Sequence, residues 1–224
     1  MLLKILNPFI MGTIRNGANG GFSGKAGSVI GSSWNNISYI KGLPKLSNKP
    51  ASEAQLMQRA RFGAVMTYLG PIKDVLMLGY KGQTSNRATG FNMGVQHALN
   101  NAVTGVYPYF SVDKSIIQIS KGTLQAPADV TLVSTTPEDL VLSWMPQIND
   151  LTAFVDDRVY VLIYNAPQNL FMIYTAIATR TEGTTTITLP ASFSGQEIHV
   201  YMFYQSRDGG RQSNSVYKGP FTVA

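Results

Sequence analysis

The stretch Leu140-Val-Leu-Ser-Trp-Met145 is one of seven short β-type runs that fill the C-terminal part of the chain. The runs span residues 130–134, 140–145, 158–165, 170–179, 184–189, 198–206 and 215–223, and turn residues such as Asp208-Gly-Gly210 divide them. Seven short strands at this spacing are typical of a β-sandwich. The sequence therefore predicts a sandwich over residues 125–224, with its boundary at Gln125-Ala-Pro-Ala128.

Residues 51–124 carry a helical pattern instead. Ser52 and Gln55 have the spacing of a capping box, which predicts a helix over residues 53–69 that ends at Gly70-Pro71. Further helices are predicted over 72–78 and 89–103, and a strand over 111–120 follows a turn at 107–110. We predict a small helical region that ends in β-strands as a hairpin.

Residues 16–44 read NGANGGFSGKAGSVIGSSWNNISYIKGLP. Glycine permits close backbone approach, and the interleaved apolar residues distinguish this stretch from a flexible polar linker. We predict a glycine-rich basic arm over residues 1–50 that contacts neighbouring subunits, with Phe22, Lys25, Trp34 and Tyr39 as its interaction residues. The alternative is that these four side chains pack within their own chain.

The composition excludes several kinds of chemistry. The chain has no cysteine, so disulfides, thiolate zinc sites and cysteine nucleophiles are excluded. Its two imidazoles, His97 and His199, have no further ligand at metal-binding spacing, and Asp156-Asp157-Arg158 is interpreted as a solvated turn. We predict a protein that is not an enzyme, with no catalytic residues, no cofactor and no metal.

The charge is distributed unevenly around a net value of +6. Thirteen lysines and arginines face three acids up to Thr123, whereas five face nine from Leu124 onward. Such a bipolar chain favours head-to-tail contact between copies, or nucleic acid at the basic half; the alternative is a solvated surface whose charge is simply uneven. The sequence shows neither a signal peptide in its first ten residues nor a run of membrane-spanning length. We predict no membrane partner, synthesis in the cytoplasm and a final location in a virion or an extracellular assembly.

Four C-terminal runs are similar to strands of fibronectin type III domains. Residues 140–145 resemble the second strand, whose tryptophan lies in the core, and residues 159–164 resemble the third. Residues 186–190 resemble the strand before the sixth, and residues 199–204 resemble the sixth. The resemblance covers about residues 129–224 and implies a fibronectin III or immunoglobulin-like sandwich, without implying a ligand.

The whole chain is also similar to a family of Bacteroidota proteins of unknown function. The similarity lies in the glycine-rich block GFSGKAGSVIGSSW at residues 21–34, in NAVTGVYP at 101–108 and in SNSVYKG at 213–219. This resemblance implies relatives with no assigned activity, so it transfers no site.

Taken together, the patterns predict an α+β protein with a glycine-rich N-terminal arm, a small helical region with a β-hairpin and a C-terminal sandwich. The predicted function is a structural, self-assembling subunit of a phage virion, tail or filament, which forms homo-oligomers or assembles with other structural proteins. The alternative is a binding module that takes carbohydrate or protein on the sandwich and nucleic acid on the basic half.

Overall fold

The computed structural model describes residues 13–14, 17, 20–34, 36–44, 49–83, 88–149 and 151–224. The chain divides into two compact units, Met1–Ala51 and Ser52–Ala224. Helices and antiparallel strands are both present, in agreement with the predicted mixture of the two. The helices of the described residues lie in the second unit.

The first unit is an antiparallel sheet in the order β1-β2-β3-β4. Its strands are β1 (Thr13–Ile14), β2 (Phe22–Ala26), β3 (Val29–Trp34) and β4 (Ile37–Gly42). Two-residue loops join β2 to β3 and β3 to β4, and Gly27 (φ +58°) and Asn36 (φ +66°) take the left-handed conformation that tight hairpins favour. The glycine-rich stretch therefore folds as hairpins where it is described, and its role as an arm stays a prediction.

This sheet has little interior of its own. Gly31 is the one buried residue among those described in the first unit, and the ring of Phe22 lies where a side chain at position 31 would stand. Six large apolar side chains are exposed instead: Ile14, Trp34, Ile37, Tyr39, Ile40 and Leu43. An apolar face is what gives a sheet of three or more strands its stability, and here the apolar side chains of the sheet are exposed.

The second unit contains the predicted sandwich. Its strands are β7 (Ala128–Thr136), β8 (Asp139–Met145), β9 (Arg158–Asn165), β10 (Leu170–Tyr174), β11 (Thr184–Thr188), β12 (Glu197–Gln205) and β13 (Val216–Thr222). They form one sheet in the order β11-β8-β7 and a second in the order β10-β9-β12-β13. Trp144, Ile163 and Phe193 are buried between these sheets.

Strand β10 is shorter than predicted. The sequence pattern extended it to Thr179, but pairing with β9 stops at Tyr174. Ala176 has φ +52°, a left-handed conformation that interrupts an extended strand. The chain then leaves the four-stranded sheet and continues to β11 in the other one.

Three helices and a hairpin precede the sandwich. Helix α1 (Glu53–Leu69) has the predicted bounds, and Ser52 and Gln55 form the predicted capping box. Helix α2 (Lys73–Gly79) follows within a residue of its predicted start, and helix α3 (Gly90–Asn101) ends two residues earlier than predicted. Residues 103–106 form β5, which pairs with β6 (Tyr109–Val112).

The strand predicted over 111–120 was wrong beyond Val112. The carboxylate of Asp113 accepts hydrogen bonds from the backbone N–H and the hydroxyl of Ser115, which turns the chain. Such a local side-chain turn competes with an extended strand.

The helices cover the outer face of the four-stranded sheet. Val65, Leu69 and Leu76 pack in one cluster with Leu162 of β9 and Phe203 of β12. Strands β9 and β12 are therefore buried on both faces, which explains why residues 159–164 read as a continuous apolar run. The helical region and the sandwich lie in one compact unit with two cores.

Candidate interaction surfaces

The register of the N-terminal sheet brings three of the four predicted interaction residues to one face. Lys25 pairs with Ile30 of β3, and Tyr39 pairs with Ser32. Paired residues share a face and alternate residues of a strand point the same way, so Lys25, Trp34 and Tyr39 lie on one side. Phe22 points to the opposite side. We call the first side the basic-aromatic face.

Exposure separates these residues in the same way. Trp34 is 49% exposed and Tyr39 is 43% exposed, and Lys25 is exposed as well. Phe22 is half-buried, and its ring contacts Gly31. Phe22 thus contacts its own sheet, whereas the three side chains of the basic-aromatic face are exposed.

The whole net charge of the protein resides in the first unit. Residues 1–51 contain six lysines and arginines and no acid, whereas residues 52–224 contain twelve basic and twelve acidic side chains. Within the second unit the basic excess lies in the helical part and the acidic excess in the sandwich. The N-terminal sheet thus has a long-range attraction for acidic surfaces.

Strands β4 and β10 each form an apolar outer edge of a sheet. Strand β4 is the last strand of the N-terminal sheet, and all six of its residues are exposed. Strand β10 is the outer strand of the four-stranded sheet, pairs with β9 without a bulge and contains no charged residue. Unpaired backbone groups on such an edge are a template for another strand.

The other edges of the sandwich carry features that oppose strand addition. Strand β13 contains Pro220, and its pairing with β12 is irregular. The register of β7 shifts twice against β8. On β11, the carbonyl of Thr188 accepts a hydrogen bond from the hydroxyl of Tyr174. Prolines, bulges and covering groups are the usual ways in which proteins block an edge.

An apolar pocket of about 200 Å³ lies beside β10. Ile173 and Tyr174 form one wall, and Val75 and Leu78 of α2 form the other. The exposed carboxylate of Asp74 also lines it. The pocket can take an apolar side chain, and Asp74 offers a counter-charge to a basic partner.

The interpretation of residues 156–158 as a solvated turn was wrong for Asp157. Asp157 is fully buried, and its Oδ2 lies 2.9 Å from Nη2 of Arg180, which is itself 1% exposed. Asp156 does lie at the surface, 3.8 Å from Arg207. The sequence offered no signal for the buried pair, because its two members are 23 residues apart.

The loops at the same end of the sandwich form an open cleft of about 400 Å³. It is lined by Phe154, Asp156, Asp157, Ser206, Arg207, Asp208 and Arg211. The guanidinium of Arg211 covers the ring of Phe154 at 4.9 Å. Hydrogen bonds from Ser206 and from the backbone of Gly210 lower the pKa of Asp208. Most of these groups contact one another, which is typical of a structural loop cluster, but the buried Oδ1 of Asp157 has no hydrogen-bond partner among the described residues.

Burial lowers the pKa of both imidazoles. Burial, with Lys114 adding to it, lowers the pKa of His199 despite the opposing effect of Glu197. Its Nδ1 shares a hydrogen bond of 2.8 Å with the hydroxyl of Tyr217. Burial also lowers the pKa of His97. This environment suits a structural role for both rings.

These pKa shifts predict acid destabilisation. A histidine whose pKa is lower in the folded state stabilises the fold above about pH 6.5, its unfolded value, and that contribution is lost as the pH falls through the folded value. We expect the urea concentration at the midpoint of unfolding to decrease as the pH is lowered below about 6.5. This decrease with pH should be less steep in His199→Gln than in the unaltered protein. An unchanged slope in His199→Gln would contradict this assignment.

Neither a metal site nor a membrane span is found in the described part of the chain. No group of three or more histidines, cysteines or acids there could hold a metal ion. None of its helices is long and apolar enough to cross a membrane.

The strand order defines the class of protein: a two-sheet β-sandwich with a helical layer on its four-stranded sheet, preceded by an N-terminal sheet. A family described as "Family of unknown function (DUF6266)" matches residues 21–219, and the chain belongs to this family. The Bacteroidota origin and the glycine-rich block as a family signature stay predictions. A search of curated proteins found no match.

Solved structures similar to the chain include fibronectin type III domains. The fn3 domain of human collagen alpha-1(XX) is 16% identical at a TM-score of 0.35, over 45% of this chain and 88% of that one. A two-domain segment of chicken tenascin is also 16% identical at 0.35, over 45% and 50%. Because these TM-scores are low, the similarity carries no argument. The assignment of residues 125–224 as a β-sandwich rests on the strand pairing within this chain.

Proposed function

We propose that this protein is a structural, self-assembling subunit whose N-terminal sheet contacts other subunits. The observation that carries the proposal is the exposure of the apolar side chains of this sheet, together with the near absence of an interior in its described part. Burying a half-exposed isoleucine or tryptophan against a partner is favourable because apolar surface leaves water.

The charge distribution supports contact between unlike surfaces. An acid-free sheet repels its own copies, whereas an acidic sandwich attracts it. Contact between two different surfaces is head-to-tail, and it generates rings or filaments rather than closed two-fold dimers. A virion, tail or filament is the setting that we propose for such a subunit, inside a virus particle or outside the cell.

Two matched variants test the proposal on the full chain. Ile37 in β4 is 48% exposed and Ile148 in the sandwich is 49% exposed, so serine at either position removes a similar apolar surface. We expect size-exclusion chromatography with light scattering to show oligomers well above the chain mass of 24.4 kDa. Ile37→Ser should weaken association by about tenfold, or about 1.4 kcal/mol, and Ile148→Ser should leave it unchanged.

Three results would count against the proposal. A wild-type monomer at all concentrations would reject homomeric assembly. Equal effects of the two serine variants would remove the N-terminal sheet from the interface. Oligomers that disappear on nuclease treatment would favour the alternative in which the basic-aromatic face binds nucleic acid, because stacked aromatic and basic side chains are the usual components of such a surface.

A further inference from the structure

We infer that the contact is made by strand addition, in which β4 of one copy pairs with β10 of the next. This inference rests on the proposed function and names the surface that receives the N-terminal sheet. The occupant of the β10 edge is thus a second copy of this chain.

The first argument is the matching of two open edges. Strand β4 exposes all of its residues, and β10 is a sandwich edge with regular pairing and no proline, bulge or charge. Strand β11 shares these features, but the carbonyl of its Thr188 is already bonded to the hydroxyl of Tyr174. Main-chain hydrogen bonds along an open edge give affinity to an added strand, and pockets beside the edge give specificity. The β10 edge has such a pocket.

The second argument is the chemistry of that pocket. Its walls are apolar, and Ile37, Tyr39 and Ile40 are apolar side chains that β4 exposes. Lys41 lies two residues after Tyr39 and therefore on the same face of β4, and Asp74 is the exposed acid of the pocket. An incoming β4 therefore supplies both an apolar side chain for the cavity and a cation for its rim.

The charges of the two units favour pairing of β4 with β10 over pairing of β4 with β4. The donor β4 lies in the basic first unit, and the acceptor β10 lies in a sandwich with four more acids than bases. Pairing of β4 with β4 would bring Lys41 of each copy into one acid-free sheet, which is unfavourable. Pairing of β4 with β10 avoids this repulsion and leaves one free donor and one free acceptor at the ends of every oligomer that does not close into a ring.

Cross-linking tests the contact directly, because the chain has no cysteine. The full-length variants Ser38→Cys in β4 and Ile173→Cys in β10 place single thiols at exposed positions of the two edges. We expect a short bis-maleimide to join them into covalent dimers when the two proteins are mixed, and to give few dimers with either alone. Ile148→Cys replaces Ile173→Cys in the matched control mixture.

A second pair of variants tests the edge without cross-linking. Ile173→Lys adds a charge to the open edge, and Ile148→Lys adds the same charge elsewhere at similar exposure. We expect the first to abolish oligomers in light scattering and the second to leave them.

The outcomes separate this inference from the proposed function. Oligomers that persist in Ile173→Lys, or cross-links no more abundant than in the Ile148→Cys control, would overturn β10 as the acceptor and leave assembly intact. Strong cross-linking of Ser38→Cys with itself would instead establish pairing of β4 with β4. A wild-type monomer in light scattering would reject the proposed function and this inference together.

Discussion

Replacement of Arg180 by methionine is expected to lower the free energy of unfolding by about 3–5 kcal/mol. Arg180 donates through Nε to Oδ2 of Asp157 at 3.0 Å, and its Nη2 lies 2.9 Å from the same oxygen and donates to the carbonyl of Gln125 at 3.0 Å. Its guanidinium also lies 3.8 Å from the ring centre of Tyr204. Removing it leaves the carboxylate of Asp157 buried with no cation, and an unpaired buried charge is far more costly than the loss of an exposed pair.

Urea denaturation of three variants measures this effect. Arg207→Met breaks the exposed pair with Asp156 and should change stability by about 1 kcal/mol or less. The double variant Asp157→Asn/Arg180→Met removes both charges and should recover part of the loss, since the remaining amide needs less compensation than a carboxylate. If Arg180→Met cost no more than Arg207→Met, the buried pair would have no special weight in the fold.

Truncation of either face of β9 should destabilise the whole second unit. Leu162 faces the helical layer and Ile163 faces the sandwich interior, and each is at most 1% exposed. Leu162→Ala and Ile163→Ala should each lower the free energy of unfolding by about 2–5 kcal/mol, through lost burial and the cavity that remains. Because both cores share β9 and β12, each variant should still unfold in one cooperative transition.

Circular dichroism and tyrosine fluorescence during urea unfolding distinguish one transition from two. Ile148→Ala at an exposed position serves as the control and should change stability by about 0.5 kcal/mol or less. Coincident curves for Leu162→Ala are expected. A separate early loss of helical signal would mean that residues 52–124 unfold independently of the sandwich.

Elements set by local chemistry could be predicted from the sequence. Ser52, Gln55 and Gly70-Pro71 mark both ends of α1, and the structure places the helix between them. The seven strands of the sandwich are likewise present, because turn residues and β-branched runs are local signals. The predicted ends of two strands were wrong because one local backbone conformation ended each strand early. These are the left-handed Ala176 after β10 and the Asp113 turn after β6.

The candidate surface could be predicted only in part. Phe22, Lys25, Trp34 and Tyr39 were predicted together as interaction residues, but the pairing of β2, β3 and β4 was needed to show that only the last three share a face. The open edge of β10 and its pocket were not predicted from the sequence. A strand lies at an edge because of the order of all the strands in its sheet. No residue of β10 carries that information by itself.

The amino-acid sequence by itself determined the helix ends, the strand runs, the absence of cysteine chemistry and the concentration of charge at the N-terminus. The tertiary structure alone decided that the helices cover the four-stranded sheet, that Asp157 meets Arg180 and that β4 and β10 remain open. The physical reason is the separation along the chain of the residues that interact. Capping, turns and strand propensity act between residues a few positions apart, whereas burial, ion pairing and edge exposure depend on contacts between segments far apart in the chain.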